Sequence, residues 1–278
     1  MSSILFDIPG PVAQRRQRLA GVGATAAVAL LAAVVLYKLY QSGQFESDKW
    51  RPFTAANILR ELGQGLVGTL KAAVLAIVCS VVFGGLLAAG RLSDHRLLRW
   101  PCMAFIEVFR AIPLLMLILF MSIGFGERIG TLASLVTALT LYNGSVLAEV
   151  FRSGINAVPR GQSEAAYGIG LRKNQVMRFI LVPQAVKIML PAIISQCVVV
   201  LKDTALGYII SYPELVRSGK IIALFIDANL VTFCVVAAIF ITINYTLSKV
   251  AQAVEAHLRQ QGKPVATSSA VAGASTLG

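Results

Sequence analysis

Charge is what this sequence has least of. Of 278 residues only 14% are charged, where an average soluble domain has about a quarter. The mean hydropathy is +0.74 and 56% of residues are hydrophobic. That balance argues against a soluble enzyme, a disordered chain or a secreted disulfide scaffold, and leaves a polytopic membrane protein. Acids are scarcer than bases, with 13 Asp and Glu against 25 Lys and Arg, a net charge of +12. The two histidines, His95 and His257, are too few for a His-based metal centre. Cys79, Cys102, Cys197 and Cys234 form no CxxC pair and sit in or beside apolar runs, which reads as packing rather than metal ligation.

Catalytic motifs are missing too. The chain has no G-x-x-x-x-G-K-S/T loop to cradle a phosphate, no H-E-x-x-H and no G-x-S-x-G. It therefore reads as a non-enzyme with no cofactor of its own. An energy-driven process on such a chain needs a partner or an ion gradient.

What is present is a series of apolar runs long enough to cross a bilayer as helices. Six spans are expected, at about 19–40, 66–90, 105–125, 132–151, 188–211 and 221–247, with Arg110 and Pro113 in the first turns of the third. Residues 1–18 form an N-terminal arm, 19–261 the transmembrane domain and 262–278 an Ala/Ser/Gly/Thr-rich tail expected to be disordered. Gly84, Gly85 and Gly90 read as close-packing positions in the second span.

Six spans put both termini on one side of the membrane. Sixteen Lys and Arg then fall on the side of the termini and seven on the other, which assigns the termini and the 152–187 segment to the cytoplasm. Topology thus accounts for most of the +12, and nucleic acid is not an expected partner.

The 152–187 segment is the informative one. Ser163 to Ala166 reads as the start of a short helix that Gly170 ends. Gln175 to Leu181 reads as a second amphipathic piece, broken by Pro183. A short exposed helix of this kind suits insertion into a partner's groove, although an ordinary cytoplasmic loop would have the same composition.

Glu164-Ala165-Ala166, then Gly170, Ile180 and Pro183 at fixed spacing, resembles the EAA loop of ABC importer permeases, with Val182 at a position that is usually Leu. Three further stretches resemble polar amino acid permeases: Phe105 to Leu115, Ala148 to Gln162, and Leu201 to Leu206, where Ala205 replaces the usual Ser. The resemblance covers about residues 62–255. The N-terminal LFDIPGP and the first span look most like actinobacterial glutamate-uptake permeases.

The resemblance implies a type I ABC importer permease fold, all-α, with five core transmembrane helices plus one N-terminal helix. It implies a subunit of an ATP-driven importer of a polar amino acid, glutamate or a close relative such as glutamine or aspartate, in a bacterial plasma membrane. ATP and Mg would bind a partner ATPase dimer. A second, related permease and an extracytoplasmic solute-binding protein complete the set.

The resemblance assigns Arg160, Gly161, Glu164, Ala165, Ala166, Gly170 and Leu171 to coupling with the ATPase. Glu164 is expected to cap that helix at its positive end. Glu107/Arg110 and Glu149/Arg152, spaced i,i+3, read as structural ion pairs or gate components. Lys202, Asp203, Thr204 and Asn143 are polar groups within spans and candidates for the substrate pathway. Lys202 has two readings, attraction of a substrate carboxylate or pairing with Asp227 or a partner chain. An ion-coupled secondary transporter is the competing function, and no duplicated half supports it.

Overall fold

The structure, a computed structural model, describes residues 10–260. The beginning of the expected arm and the tail from 262 lie outside the described residues. Every regular element among the described residues is helical. Five stretches are long and apolar enough to cross a membrane: Arg15–Gln41, Ala56–Arg91, Leu114–Asn156, Lys173–Ile210 and Asn229–Val250.

Helix α1 (Pro11–Gln41) is apolar on all sides from Leu19 to Leu36, and none of its apolar window is buried against the rest of the chain. A helix without a polar face is at home in lipid. A short helix α2 (Ser47–Trp50) and a 3-10 turn (Arg51–Thr54) lead to α3 (Ala56–Arg91), the centre of the fold. The buried side of α3 is mostly small, with Gly65, Thr69, Ala72, Ala76, Ser80 and Gly84 in sequence. In lipid, helices associate by close backbone approach at such residues. Gly84 meets Gly144 of a neighbouring helix, and a Cβ there would lie 2.7 Å from the Gly144 carbonyl oxygen.

The third expected span is divided differently. Helix α4 (Arg96–Ala111) is a separate amphipathic helix that ends before Pro113. Ile112 is extended, with ψ 128°, because a residue preceding proline is pushed out of the helical region. Arg110 therefore belongs to α4 and not to a span. Helix α5 (Leu114–Asn156) has 43 residues. Straight, it would be ~65 Å long, about twice the hydrocarbon thickness. It is interrupted at Gly130, with φ 79° and ψ 168°, a conformation essentially restricted to glycine.

The chain doubles back there. A Cβ on Gly126 would lie 3.8 Å from Ser134 Oγ, where a straight helix would separate these positions by ~12 Å. The two arms, 114–129 and 131–156, are two crossings, so the described residues make six in all. Leu117, Ile118, Leu135, Ala138 and Leu139 from both arms pack with Ala72 and Ala76 of α3 in one core.

After α5 comes α6 (Arg160–Gly168), then a rod that starts as α7 (Lys173–Gln175), passes through a π turn (Val176–Leu181) and continues as α8 (Val182–Asp203). The expected break at Pro183 is absent. Pro183 occupies one of the first two positions of α8, where its missing N–H costs little, and the widened π turn carries the helix into it. The segment 152–187 is thus largely two helix ends with α6 between them.

A 3-10 turn (Thr204–Ile210) leads to α9 (Leu215–Ile226) and then α10 (Asn229–Gln260). The sixth expected span is also corrected. Residues 221–226 belong to α9, and Asp227 breaks the apolar run with φ 50° and ψ 41°, a left-handed conformation that Asp tolerates better than most residues. The crossing begins at Asn229. Among the cysteines, Cys79 and Cys234 are exposed on the outer helix surface and not packed inside.

A hydrogen-bonded knot fastens α9 to α3. Tyr212 Oη donates to the Gly68 carbonyl at 3.0 Å, Leu215 N–H to Thr69 Oγ1 at 3.1 Å, and Ser218 Oγ to Glu61 Oε1 at 2.8 Å. Glu214, fully buried, caps α9 by accepting from the N–H groups of Val216 and Arg217. Burial pushes its carboxyl up to about 7, against the pull of those two backbone donors and of the Arg217 charge.

Glu214 therefore holds its proton in the folded protein above the pH at which an unfolded chain releases it. The folded state binds more protons than the unfolded one between those two values, so stability falls as pH rises through that window. The melting temperature of the detergent-solubilised chain should decline from about pH 4.5 to about pH 7, and Glu214→Gln should flatten that decline. An unchanged slope in the variant would remove Glu214 as its source.

Candidate functional site

Two groups of residues gather the polar chemistry. The first is the segment around α6. Pro159 precedes it with the extended backbone of an N-cap, at φ −55° and ψ 131°, and proline suits a helix start because its missing N–H would be unpaired there anyway. At the other end, the Gly170 N–H donates to the Tyr167 carbonyl at 2.9 Å and the Leu171 N–H to Ala166 at 3.2 Å. With Gly170 at φ 86°, these two bonds make a Schellman motif, which closes the free carbonyls of the last turn. Gly170 thus ends the helix as its sequence position suggests.

The start differs from expectation. The helix begins at Arg160, so Glu164 is its fifth residue and is too far along to cap it. Ser163 Oγ instead donates to the Arg160 carbonyl at 2.8 Å. One side of α6 is anchored: Ala166 is buried beside the π turn, whose Val176 is also buried. The other side is open, with Arg160, Gly161, Glu164 and Ala165 exposed. Tyr167, Ile169 and Phe179 are exposed apolar groups in the same region, at 48%, 79% and 61%. The motif reading passed over those three, although each is a large apolar residue in a polar stretch.

A lysine outside that reading ties the segment to the membrane body. Lys173 pairs with Asp94 in the turn between α3 and α4. The ammonium holds the Asp94 carboxyl below the usual carboxylate range, first by its hydrogen bond and then by its charge.

The charged residues at the helix ends form a different network from the one the i,i+3 spacing suggests. Arg152 does bind Glu149, with its Nε 3.0 Å from Oε1. Among the described residues, Glu107 and Arg110 do not pair with each other. Arg91 at the end of α3 takes that role, 2.8 Å from Glu149 and 3.9 Å from Glu107. Glu149 is the hub, held by two arginines from two helices. Local spacing could not reveal Arg91, which lies 58 residues from Glu149 (149 less 91).

The second group lies between the second arm of α5 and α8. Asn143 is fully buried, and Gln196 Nε2 donates to its Oδ1 at 2.6 Å. The Asn143 amide nitrogen lies beside the Asp203 carboxylate but makes no hydrogen bond of good geometry. Thr204, also buried, donates to the Leu201 carbonyl at 2.7 Å. Asn143, Asp203 and Thr204 are thus near one another, with Gln196 as an additional member.

Lys202 points elsewhere, as a residue about 100° around the helix from Asp203 must. It lines a groove of about 340 Å³ between α8 and α10, together with Ser195, Ser248 and Gln252. Among the described residues no carboxylate lies within ion-pair distance of it, Asp227 included.

Residues 80–260 match the family described as binding-protein-dependent transport system inner membrane component. The glutamate transport system permease protein GluD of Corynebacterium glutamicum is 45% identical over 225 residues, 78% of this chain and 82% of that protein. The glutamate/aspartate import permease protein GltK of Escherichia coli is 34% identical over 169 residues, covering 57% of this chain and 75% of its own length. Among solved structures, an amino acid ABC transporter with histidines aligns at a TM-score of 0.70 with 30% identity, over 74% of this chain and 97% of that one. A subunit of the MetNI methionine ABC transporter shares the fold at a TM-score of 0.63 with 20% identity, over 73% of this chain and 99% of that one. The chain belongs to the inner-membrane permeases of binding-protein-dependent ABC importers, a non-catalytic amino acid transport subunit that works with a separate ATPase and a binding protein.

Proposed function

We propose that this chain forms half of the translocation pathway of a glutamate importer and that α6 is its contact with the ATPase. The observation that carries the reading is the contrast between backbone and side chains around α6. The α6 backbone is held by Pro159, the Schellman bonds and the π turn, while Tyr167 on α6, Ile169 at its C-cap and Phe179 in the π turn stay open to a partner. A rigid segment with uncovered apolar groups transmits a push better than a loose loop would.

ATP and Mg bind the partner ATPase dimer. Its closure moves α6, and the spans exchange an outward-facing for an inward-facing pathway. A second, related permease completes the pathway, and a solute-binding protein delivers the amino acid from outside. Both termini and α6 lie in the cytoplasm of a bacterium, as the excess of bases on that side supports. Glutamate is favoured by the relative named for glutamate transport. Lys202, without an ion-pair partner among the described residues and lining a groove with Ser195, Ser248 and Gln252 beside four apolar residues, suits a carboxylate passing through the membrane.

Affinity purification of the chain from its native membrane should recover an ATPase, a second permease and a binding protein. The purified assembly, reconstituted with ATP inside the vesicles, should accumulate labelled glutamate. Lys202→Met should raise the KM for glutamate about tenfold while leaving glutamine uptake near its original level, as loss of one charge contact in a low-dielectric site requires. Equal effects on both amino acids would remove Lys202 from recognition of the side-chain carboxylate. Recovery of the chain alone, active in gradient-driven uptake, would overturn the proposed function.

A further inference from the structure

A cavity of about 820 Å³ lies where the ends of α3 and α5 meet α4 and the start of the α7–α8 rod. Its wall is mainly apolar and includes Leu86, Leu98 and Val182, and its mouth is formed by Asp94, His95, Lys173 and Asn174. That volume falls in the upper part of the range of about 300–1,000 Å³ typical of ligand pockets. The proposed import function assigns it no role.

Helix α4 sets the depth of this cavity. One side of α4 carries the buried Ile106 and the stacked rings of Phe105 and Phe109. A second side is apolar and uncovered, with Leu97 93% exposed and Val108 54% exposed. A third carries Arg96, Arg99 and Arg110 with a single acid, Glu107. Trp100, also exposed, lies between the last two. A helix with a packed side, an apolar side, a basic side and a boundary tryptophan lies flat in a membrane interface. The cavity beside it therefore opens where headgroups meet acyl chains.

Charge narrows the occupant. Asp94 is the one carboxylate lining the cavity; Lys173 pairs with it, and the Arg99 charge also acts on it. Asp94 is 76% exposed and its Lys173 partner 44% exposed, and such an exposed ion pair contributes little, so an anion from the membrane can displace it. An apolar chamber with a basic rim at the interface fits a molecule with a long hydrocarbon tail and an anionic head. We infer that the cavity holds an acyl chain of an anionic phospholipid whose phosphate takes Lys173 from Asp94. Because Lys173 opens α7, just past the turn that ends α6, the bound lipid also adjusts how firmly that segment is tied to the α3–α4 turn.

The chain has two tryptophans, and Trp50→Phe with Trp100→Phe and Leu98→Trp leaves one indole, on the cavity wall. The full-length variant is reconstituted in phosphatidylcholine vesicles doped with brominated phosphatidylglycerol or with brominated phosphatidylcholine, and quenching of that indole is measured. The anionic lipid should quench about fivefold more effectively, as one basic contact near a membrane surface gives. That preference should be lost in Lys173→Gln and in Ala89→Phe, which fills the chamber from an exposed position, and kept in Lys173→Arg. Equal quenching by the two lipids, or a preference that survives in Lys173→Gln or in Ala89→Phe, would overturn the inference. The readout needs neither ATP nor transport, so its failure leaves the proposed function standing.

Discussion

Replacing Gly170 with valine should lower ATP-driven uptake roughly 5- to 30-fold, with little change in membrane insertion. The cause is conformational. Gly170 sits at φ 86°, and a Cβ there would meet nothing within 4 Å. Space is free, but the left-handed backbone costs an L-residue about 1–2 kcal/mol, and a β-branched side chain more. Valine would release the bonds from Gly170 to Tyr167 and from Leu171 to Ala166. The last turn of α6 would fray, and Ile169 would leave its fixed position.

The side chain decides the size of the loss. Asparagine, which enters this conformation more readily than other residues, should retain most of the uptake. Alanine should fall between asparagine and valine. ATPase activity of the assembled complex, measured beside uptake, separates two causes. Loss of uptake with ATP hydrolysis retained is uncoupling, whereas loss of both is loss of docking. Equal uptake by the valine and asparagine variants would contradict a role for the Schellman turn.

The features that the sequence displayed and those that it hid differ in kind. Apolar runs revealed the crossings because burial in lipid depends on composition over about 20 residues. They did not reveal where the backbone turns. The run from Phe105 to Phe125 continues through Pro113, and the one from Ile221 to Leu247 continues through Asp227, with no drop in hydropathy large enough to mark the break. Gly130 was equally silent, a single residue whose φ/ψ decides whether α5 is one rod or a hairpin.

The site shows the same division. Gly170 was legible because its role is local to six residues. Glu149/Arg152 was legible because i,i+3 spacing brings side chains together on any helix. Arg91 with Glu149, Asp94 with Lys173 and Gln196 with Asn143 join distant parts of the chain, and only the packed fold brings them together. The exposure of Tyr167, Ile169 and Phe179 was hidden for a related reason, since an apolar residue in a loop is as often tucked under it as displayed.

The crossing of α3 with the second arm of α5 should be the least tolerant point of the fold. A Cβ at Gly84 would lie 2.7 Å from the Gly144 carbonyl oxygen, 3.0 Å from Leu147 Cβ and 3.2 Å from the Ala148 backbone nitrogen. Two of these three are backbone atoms, which cannot rotate away. Gly144 is already without a side chain and has nothing to give. The helices must therefore separate, and Leu87, Ala88 and Ala148, which pack together with Ile106 just beyond the crossing, must separate with them.

Gly84→Val should destabilise the chain by about 3 kcal/mol, the upper end of ordinary overpacking, because the clash is with backbone. Gly63→Val supplies the control. It lies on the same helix, is exposed, and a Cβ there would have nothing within 4 Å. Both substitutions add the same side chain to α3, so any difference between them measures the crossing and not helix propensity. Thermal unfolding in detergent should show a clear drop in melting temperature for Gly84→Val and almost none for Gly63→Val. If the two melt together, the close approach of α3 and α5 is not what holds this bundle.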